Sequence, residues 1–312
     1  MTIYKYPSEK KPNINESVLA LGFFDGVHLA HRDLLSRAAE EARREGLDFG
    51  IFTFASDGGI KIGANRLYDD SQKTSIFEAL GADFAVFADF GAIAGSSPEN
   101  FVKKILCEDL KCKICVAGFN FRFGKGASGN SEMLKELMAE CGGRALIREE
   151  ITAQGVTLSA SLIRSLISDG KIEQANSLLG APYHIKGKVS EGRKDGRRLG
   201  FPTINIIIEE GRVVPKYGVY RTALVIDGRI YTGVSNVGVC PTFGGEQIRL
   251  ETHIVGFDGN LYGEEICVYL LGFLREERRF DSLNELKMQI NIDKITTIKE
   301  NGDITWQHLG LK

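Results

Sequence analysis

Over the first 180 positions, short apolar runs alternate with amphipathic stretches. Residues 18–22 are apolar and end in glycine, which predicts a buried strand. From residue 30 to about 44, Leu34, Leu35, Ala38, Ala39 and Ala42 recur at helical spacing on one face. Further strands are predicted at 49–54, 84–87 and 114–117, and helices at about 71–80, 98–110 and 131–141. Strands separated by helices of this length predict a parallel sheet with helices on both faces. Two short helices follow, at 161–168 and 172–179, with Gly170 and Gly180 as stop signals. After Pro182 the pattern changes to short β runs with glycine turns, at 184–189, 203–208, 218–226, 229–234, 249–254 and 266–273. That predicts a small antiparallel barrel or sandwich. A helix at about 282–292 closes the pattern. The change near 180–182 divides the chain into expected domains 1–181 and 182–312.

Composition narrows the class. The chain has 312 residues, 43% of them hydrophobic, which suits a soluble globular protein of two domains. Net charge is −2 with both signs intermixed, so nucleic acid is not an implied partner. The polar first residues lack the apolar core of a signal peptide. No apolar run approaches the roughly 20 residues of a membrane helix, so a cytoplasmic protein is expected. Six cysteines are present, and Cys112 and Cys115 form a C-x-x-C. A zinc ribbon needs a second such pair, and the motif opens an apolar run, so structural thiols are expected.

Two segments carry candidate chemistry. Gly22-Phe23-Phe24-Asp25-Gly26-Val27-His28-Leu29-Ala30-His31 lies between the first predicted strand and helix. Ligands of open parallel sheets bind beyond the carboxyl ends of the strands, and helix N-termini there suit phosphate. His28 and His31, three apart, can point at one phosphate chain and stabilise charge during group transfer. They can equally be capping or solvated residues. The second segment runs from Gly187 through Val189, Gly192, Gly196 and Arg197 to Leu199-Gly200-Phe201-Pro202-Thr203-Ile204-Asn205. Its glycines suggest a flap whose amides wrap phosphates. Thr203 and Asn205 offer oxygens to a hard cation such as Mg²⁺. A glycine-rich hairpin with a structural asparagine is the alternative. The stretch 118–125 imitates a phosphate-binding loop, but its glycines are one residue too far apart.

The first segment closely resembles the nucleotidyltransferase signature of bacterial bifunctional riboflavin kinase/FAD synthetases, with Ala30 where glycine is usual and Phe23 where asparagine is common. Gly118-Phe119-Asn120-Phe121-Arg122-Phe123-Gly124 and Ser159-Ala160-Ser161-Leu162-Ile163-Arg164 match two further family segments. The family's Pro-His-Pro-like element is replaced by Phe54-Ala55-Ser56-Asp57-Gly58-Gly59. The second segment resembles the family's Gly-Arg-x-Leu-Gly-Phe-Pro-Thr-Ala-Asn, with Ile204 for alanine. Matches continue through 218–220, 236–243, Glu251-Thr252-His253, 261–263 and 274–280, with Cys240 where arginine is usual.

The resemblance implies a nucleotidyltransferase-like, Rossmann-like first domain and a barrel kinase domain. It implies that His28 and His31 contact phosphates, with Gly22, Asp25, Gly26, Ser159, Ser161 and Arg164 around ATP. Asn120 and Phe121 would serve the FMN side, and Asn120 would line the FMN and magnesium region. In the second domain Gly187, Gly192, Gly196 and Arg197 would hold ATP, Thr203 and Asn205 would hold Mg²⁺, and Arg275 would line the flavin pocket. Glu251 would act as base toward the riboflavin hydroxyl, although Arg249 and Glu251 alone read as a solvated strand face. The implied substrates are riboflavin, FMN and ATP. Three readings stand at this point: a bifunctional enzyme, a riboflavin kinase with an altered first domain, and a flavin- or nucleotide-binding regulator without turnover.

Overall fold

The computed structural model of the chain describes all residues except 10–11, 57–64, 151, 154–155, 192–195, 197–198, 243–244 and 311–312. The chain forms two compact units, Met1–Ser159 and Ala160–Lys312.

The first unit is built on six strands: β1 (Thr2–Tyr6), β2 (Ser17–Leu21), β3 (Asp48–Phe54), β4 (Phe84–Ala88), β5 (Cys112–Gly118) and β6 (Arg144–Arg148). They lie in the order β1-β4-β3-β2-β5-β6, and each neighbouring pair is parallel. Strands β2 and β4 are buried throughout and, apart from Ser17, apolar, as expected where both faces are covered. One face carries the core around Leu19, Leu21, Phe52, Val86, Phe101 and Leu134. The other carries the core around Val18, Ala20, Leu35, Ala38, Phe77 and Val116.

The helices are α1 (Leu29–Glu45), α2 (Asp70–Ala79), α3 (Phe90–Ile93), α4 (Asn100–Asp109) and α5 (Ser131–Glu140). Helix α4 is wound wider than an α-helix, so that the Leu110 N–H donates to the Ile105 carbonyl, five residues back. Helix α2 begins with a reciprocal cap: Asp69 accepts from the Gln72 N–H, and Gln72 accepts from the Asp69 N–H. Cys112 and Cys115 are buried in β5, and burial pushes both thiols upward, which suits packing rather than reactivity. A two-stranded ladder, β7 (Thr152–Ala153) with β8 (Val156–Thr157), follows.

The second unit starts with α6 (Ala160–Ser168) and α7 (Ile172–Leu179). Helix α7 is tied to the barrel within this unit: Asn176 donates to the Leu270 carbonyl (2.9 Å) and accepts from the Tyr183 N–H (2.8 Å). Six strands then close into a barrel: β9 (His184–Ser190), β10 (Thr203–Ile207), β11 (Gly218–Ile226), β12 (Arg229–Thr242), β13 (Gly245–Ile254) and β14 (Glu265–Arg275). Closure leaves no free sheet edge. Helix α8 (Leu283–Asn301) completes the unit, capped by Ser282 accepting from the Glu285 N–H.

The structure corrects four expectations. The sheet has two more strands than predicted, β1 and β6, both at its edges. Strand β12 extends to Thr242 rather than 234, and α8 runs to Asn301 rather than 292.

Candidate active sites

In the first unit the strand order reverses between β2 and β5. The chain steps outward from β2 to β3 and β4, then returns to β5 and β6 on the other side. Such a reversal opens a crevice beyond the strand ends. Leu21 is paired with Ala117, so Gly22, just past the end of β2, and Gly118, the last residue of β5, lie side by side. Topology thus brings together the 22–31 and 118–124 segments, nearly a hundred residues apart.

The 22–31 segment is tightly built. Phe24, Gly26 and Val27 have φ of 50°, 77° and 42°, so the loop passes through the left-handed region three times. A Cβ on Gly22 would lie 2.8 Å from the Phe24 ring. Buried Asp25 accepts from the Leu67 N–H at 2.9 Å. Asp25 therefore fixes the loop to the lead-in of α2 rather than facing open solvent.

His28 is the N-cap residue of α1, and Ala30 sits in its first turn. The His28 and His31 rings stack with centroids 3.7 Å apart, and the Phe24 ring meets His31 edge-on at 5.3 Å. The Nδ1 atoms of both histidines are buried with no partner among the described residues. Burial lowers His28 to about 4. Burial, then the His28 and Lys73 charges, hold His31 well below the ordinary histidine range. Both rings are neutral at pH 7.

Asn120 and Phe119 are exposed at the crevice, with the Asn120 side chain folded back toward Gly118. Phe121 is half-buried and stacks on Phe123 at 5.7 Å. Ser159 ends the first unit, while Ser161 and Arg164 lie on α6, where Arg164 donates to Ser161 Oγ at 3.2 Å. Asp57, Gly58 and Gly59 lie outside the described residues. Lys73 was not singled out from the sequence. Its side chain is 2% exposed, and its Nζ donates to the Phe54 carbonyl at 3.4 Å.

In the second unit, register assembles the site. Asn205 on β10 lies directly opposite Glu251 on β13, which lies opposite Asn236 on β12. Thr203 pairs with His253 on the same face. A cavity of about 660 Å³ is lined by Thr203, Glu251, Asn236, Ser235, Phe280 and Ile290, among others. A second cavity of about 150 Å³ is lined by Ile254, Phe257, Asp258 and Tyr262. Thr203 lines both.

Asn205 is 4% exposed, and its Oδ1 is buried without a partner among the described residues. An orphaned amide oxygen beside a carboxylate and a threonine hydroxyl is a donor set suited to a hard cation. The residues present therefore fit a divalent metal.

Gly196 adjoins this group: a Cβ there would lie 2.4 Å from the Phe201 carbonyl and 3.4 Å from Thr203 Oγ1. Gly187 is on β9, where a Cβ would strike Ile206 at 2.5 Å. Gly192 and Arg197 lie outside the described residues. The His253 ring lies 3.0 Å from the Pro202 carbonyl and meets Phe201 edge-on, so it braces the turn. Arg275 lines the larger cavity, but its guanidinium is held by Asp293 at 2.7–3.1 Å. It forms part of the wall, joining β14 to α8.

A switch-point crevice with a histidine pair at a helix terminus, and a barrel cavity with a carboxylate and orphaned oxygen donors, define a nucleotide-dependent transferase with two sites. Comparison with known proteins names the family. Residues 10–162 match the family model described as FAD synthetase, and residues 179–300 match that described as riboflavin kinase. The chain is 34% identical to the bifunctional riboflavin kinase/FMN adenylyltransferase of Bacillus subtilis (strain 168), over 91% of this chain and 92% of the relative. It is 34% identical to the enzyme of the same description from Escherichia coli (strain K12), over 89% of this chain and 91% of that one. The chain belongs to the bifunctional riboflavin kinase/FMN adenylyltransferase family. A solved structure from Streptococcus pneumoniae, described as a macrolide-efflux protein, aligns with a TM-score of 0.85 at 28% identity, over 95% of this chain and 99% of that one. No helix among the described residues here is long and apolar enough to cross a membrane.

Proposed function

We propose that the barrel unit transfers the γ-phosphate of ATP to riboflavin and that the first unit transfers the adenylyl group of ATP to the resulting FMN, giving FAD and pyrophosphate. The observation that carries the kinase half is Thr203 at the junction of two cavities, beside the Asn205–Glu251 pair. The larger cavity, with its mixed aromatic, aliphatic and polar wall, suits a flavin ring. The smaller suits the nucleotide, so that donor and acceptor meet at Thr203.

Glu251 then accepts the ribityl hydroxyl proton as that oxygen attacks the γ-phosphate in line. Thr203 and Asn205 would hold Mg²⁺, which neutralises charge on the phosphates when bound. The family pattern gives Gly187 and Gly196 a place near the same phosphates, where the lack of a side chain lets backbone approach. Arg275 keeps the flavin wall in place through Asp293.

In the first unit the neutral histidine rings, with Nδ1 turned inward, present Nε2–H toward the phosphate chain at the N-terminus of α1. Gly22 and Gly26 let the loop pass close to that chain. Asn120 and Phe121 serve the FMN side of the crevice, and the family pattern gives Ser159, Ser161 and Arg164 a phosphate-holding role. Expected functional domains are 1–181 and 182–312. Riboflavin, FMN and ATP as substrates accord with a cytoplasmic enzyme.

The test is to incubate the purified protein with riboflavin, ATP and Mg²⁺ and resolve the flavins by chromatography. FAD is the expected product. FMN alone would remove the adenylyltransferase half, and unchanged riboflavin would remove both.

A further inference from the structure

We propose that Lys73 is a positioning residue of the adenylyl-transfer site, whose buried ammonium locks the Phe23–Asp25 loop beneath the histidine pair and adds a positive charge behind the phosphates of ATP. The inference rests on the adenylyl-transfer reading of the first unit and assigns a residue to it.

The argument starts from three consecutive loop residues, each gripped by the α2 region. The Lys73 ammonium lies 4.9 Å from the centre of the Phe23 ring. The Phe77 ring, one helical turn on, meets Phe24 edge-on at 5.9 Å. The Leu67 N–H, ahead of the helix, donates to Asp25. Phe24 in turn packs on His31. Lys73 and Phe77 stand four apart on one helix face, so a single rigid element sets the height of the loop under the histidines.

Packing alone does not account for a lysine here. A buried ammonium needs close partners, because desolvation of a charge is expensive. Lys73 has the Phe54 carbonyl at 3.4 Å and the Asp70 carboxylate at 3.9 Å. That carboxylate is already engaged by Ser56, whose N–H and hydroxyl donate to it at 3.0–3.1 Å and 2.6 Å. An aliphatic side chain would fill the same volume without the penalty. Among the described residues its direct contacts are long ones, so the ammonium keeps attraction to spare for an anion, and the anion this crevice takes is a polyphosphate.

The charges facing Lys73 are Asp70 and Asp69 from α2 and its cap, Asp25 from the loop and Arg66 from the lead-in. His28 and Lys73 are the charges acting on His31. Removing the ammonium makes His31 easier to protonate.

The experiment measures FAD formation from FMN and ATP against pH in wild type, Lys73→Met, Lys73→Gln and Lys73→Arg. FMN formation by the barrel in the same samples and thermal unfolding serve as controls. Lys73→Met is expected to lower kcat/KM for FAD formation at least tenfold and to move the acidic limb of its pH profile upward. Lys73→Arg is expected to keep the limb near wild type. Lys73→Gln, polar but uncharged, is expected to move it upward as methionine does. A limb that follows the charge of the side chain rather than its shape cannot come from a merely structural role. A limb unmoved in both Lys73→Met and Lys73→Gln, or an arginine variant indistinguishable from methionine, would overturn the proposal. If Lys73→Met does not fold, the Lys73→Gln limb decides. Absence of FAD formation in wild type refutes the underlying reading instead, and so separates the two failures.

Discussion

Replacing Asn205 by leucine separates stability from activity in the barrel. Asn205 is 4% exposed and its Oδ1 has no partner among the described residues. A buried acceptor in that state destabilises a protein by about 1–3 kcal/mol. Leucine has similar bulk and no polar atom. Allowing for imperfect packing of the new methyl groups, the ligand-free barrel should gain about 1–2 kcal/mol. Each kcal/mol corresponds to about 2–4 °C for a unit of this length, so its melting temperature should rise by about 2–8 °C. The ligand response should be the reverse. Wild type gains about 2.7 kcal/mol from a ligand present at about 100 times its Kd, and the variant should lose most of that response to Mg²⁺ and ATP. With the oxygen donor gone, FMN formation should fall by about 10²–10³, the usual effect of deleting one charge-stabilising contact. Thermal unfolding with and without Mg²⁺ and ATP, beside chromatographic FMN and FAD assays, reads all three quantities. FAD formation from supplied FMN should not change. A variant that melts several degrees lower without ligand, or that keeps kinase activity within tenfold, would refute the reasoning.

Three further predictions follow from the same geometry. Glu251→Gln keeps the shape of the acceptor row but removes the base, so kcat for FMN formation should fall by about 10²–10⁴ while FAD formation from FMN persists; an effect confined to KM would contradict the assignment. Gly196→Ala forces a Cβ to 2.4 Å from the Phe201 carbonyl, so the turn into Thr203 must shift; the KM for ATP in the kinase reaction should rise about tenfold, and an unchanged KM would show that the turn does not position ATP. His28 is lowered from 6.5 to about 4 by burial, so the unfolded chain takes up its proton first as pH falls. Its contribution to the stability of the first unit is therefore present above about pH 6.5 and lost between about 6.5 and 4; thermal unfolding across that window should show the loss in wild type and a flatter profile in His28→Asn, and identical profiles would count against it.

Much of this architecture can be read along the chain. The central strands β2, β3, β4 and β5 appear as apolar runs because both faces of a parallel sheet are covered. The edge strands are harder. β1, with the sequence TIYKY, is half exposed, and β6, with the sequence RALIR, begins and ends in arginine, so neither shows a continuous apolar run. The extension of β12 through Asn236–Thr242 contains Gly238 and Pro241, and glycine and proline lower strand propensity. Pairing with β13 from Gly233 to Thr242 overrides it. Helix α8 runs past its predicted end through residues whose apolar side chains, Ile295 and Ile298, are 64% and 47% exposed. No buried stripe marked that continuation.

The candidate sites divide in the same way. Glycine spacing, the His28/His31 pair and Thr203 with Asn205 are local patterns, visible because turn geometry and donor chemistry are written in neighbouring residues; Glu251 is marked only by the family resemblance, since Arg249 and Glu251 alone read as a solvated strand face. Lys73 was not visible, since a lysine among polar residues reads as solvated until the fold buries it. Arg275 could be placed near the flavin wall, but its engagement by Asp293 needed the packing of α8 on β14. The sequence by itself determined which residue types were available and which faces would be buried, because periodicity is a property of adjacent positions. The tertiary structure alone decided which distant residues meet. Strand order set Gly22 beside Gly118, and register set Asn205 opposite Glu251. Both are consequences of long-range pairing that no local pattern carries.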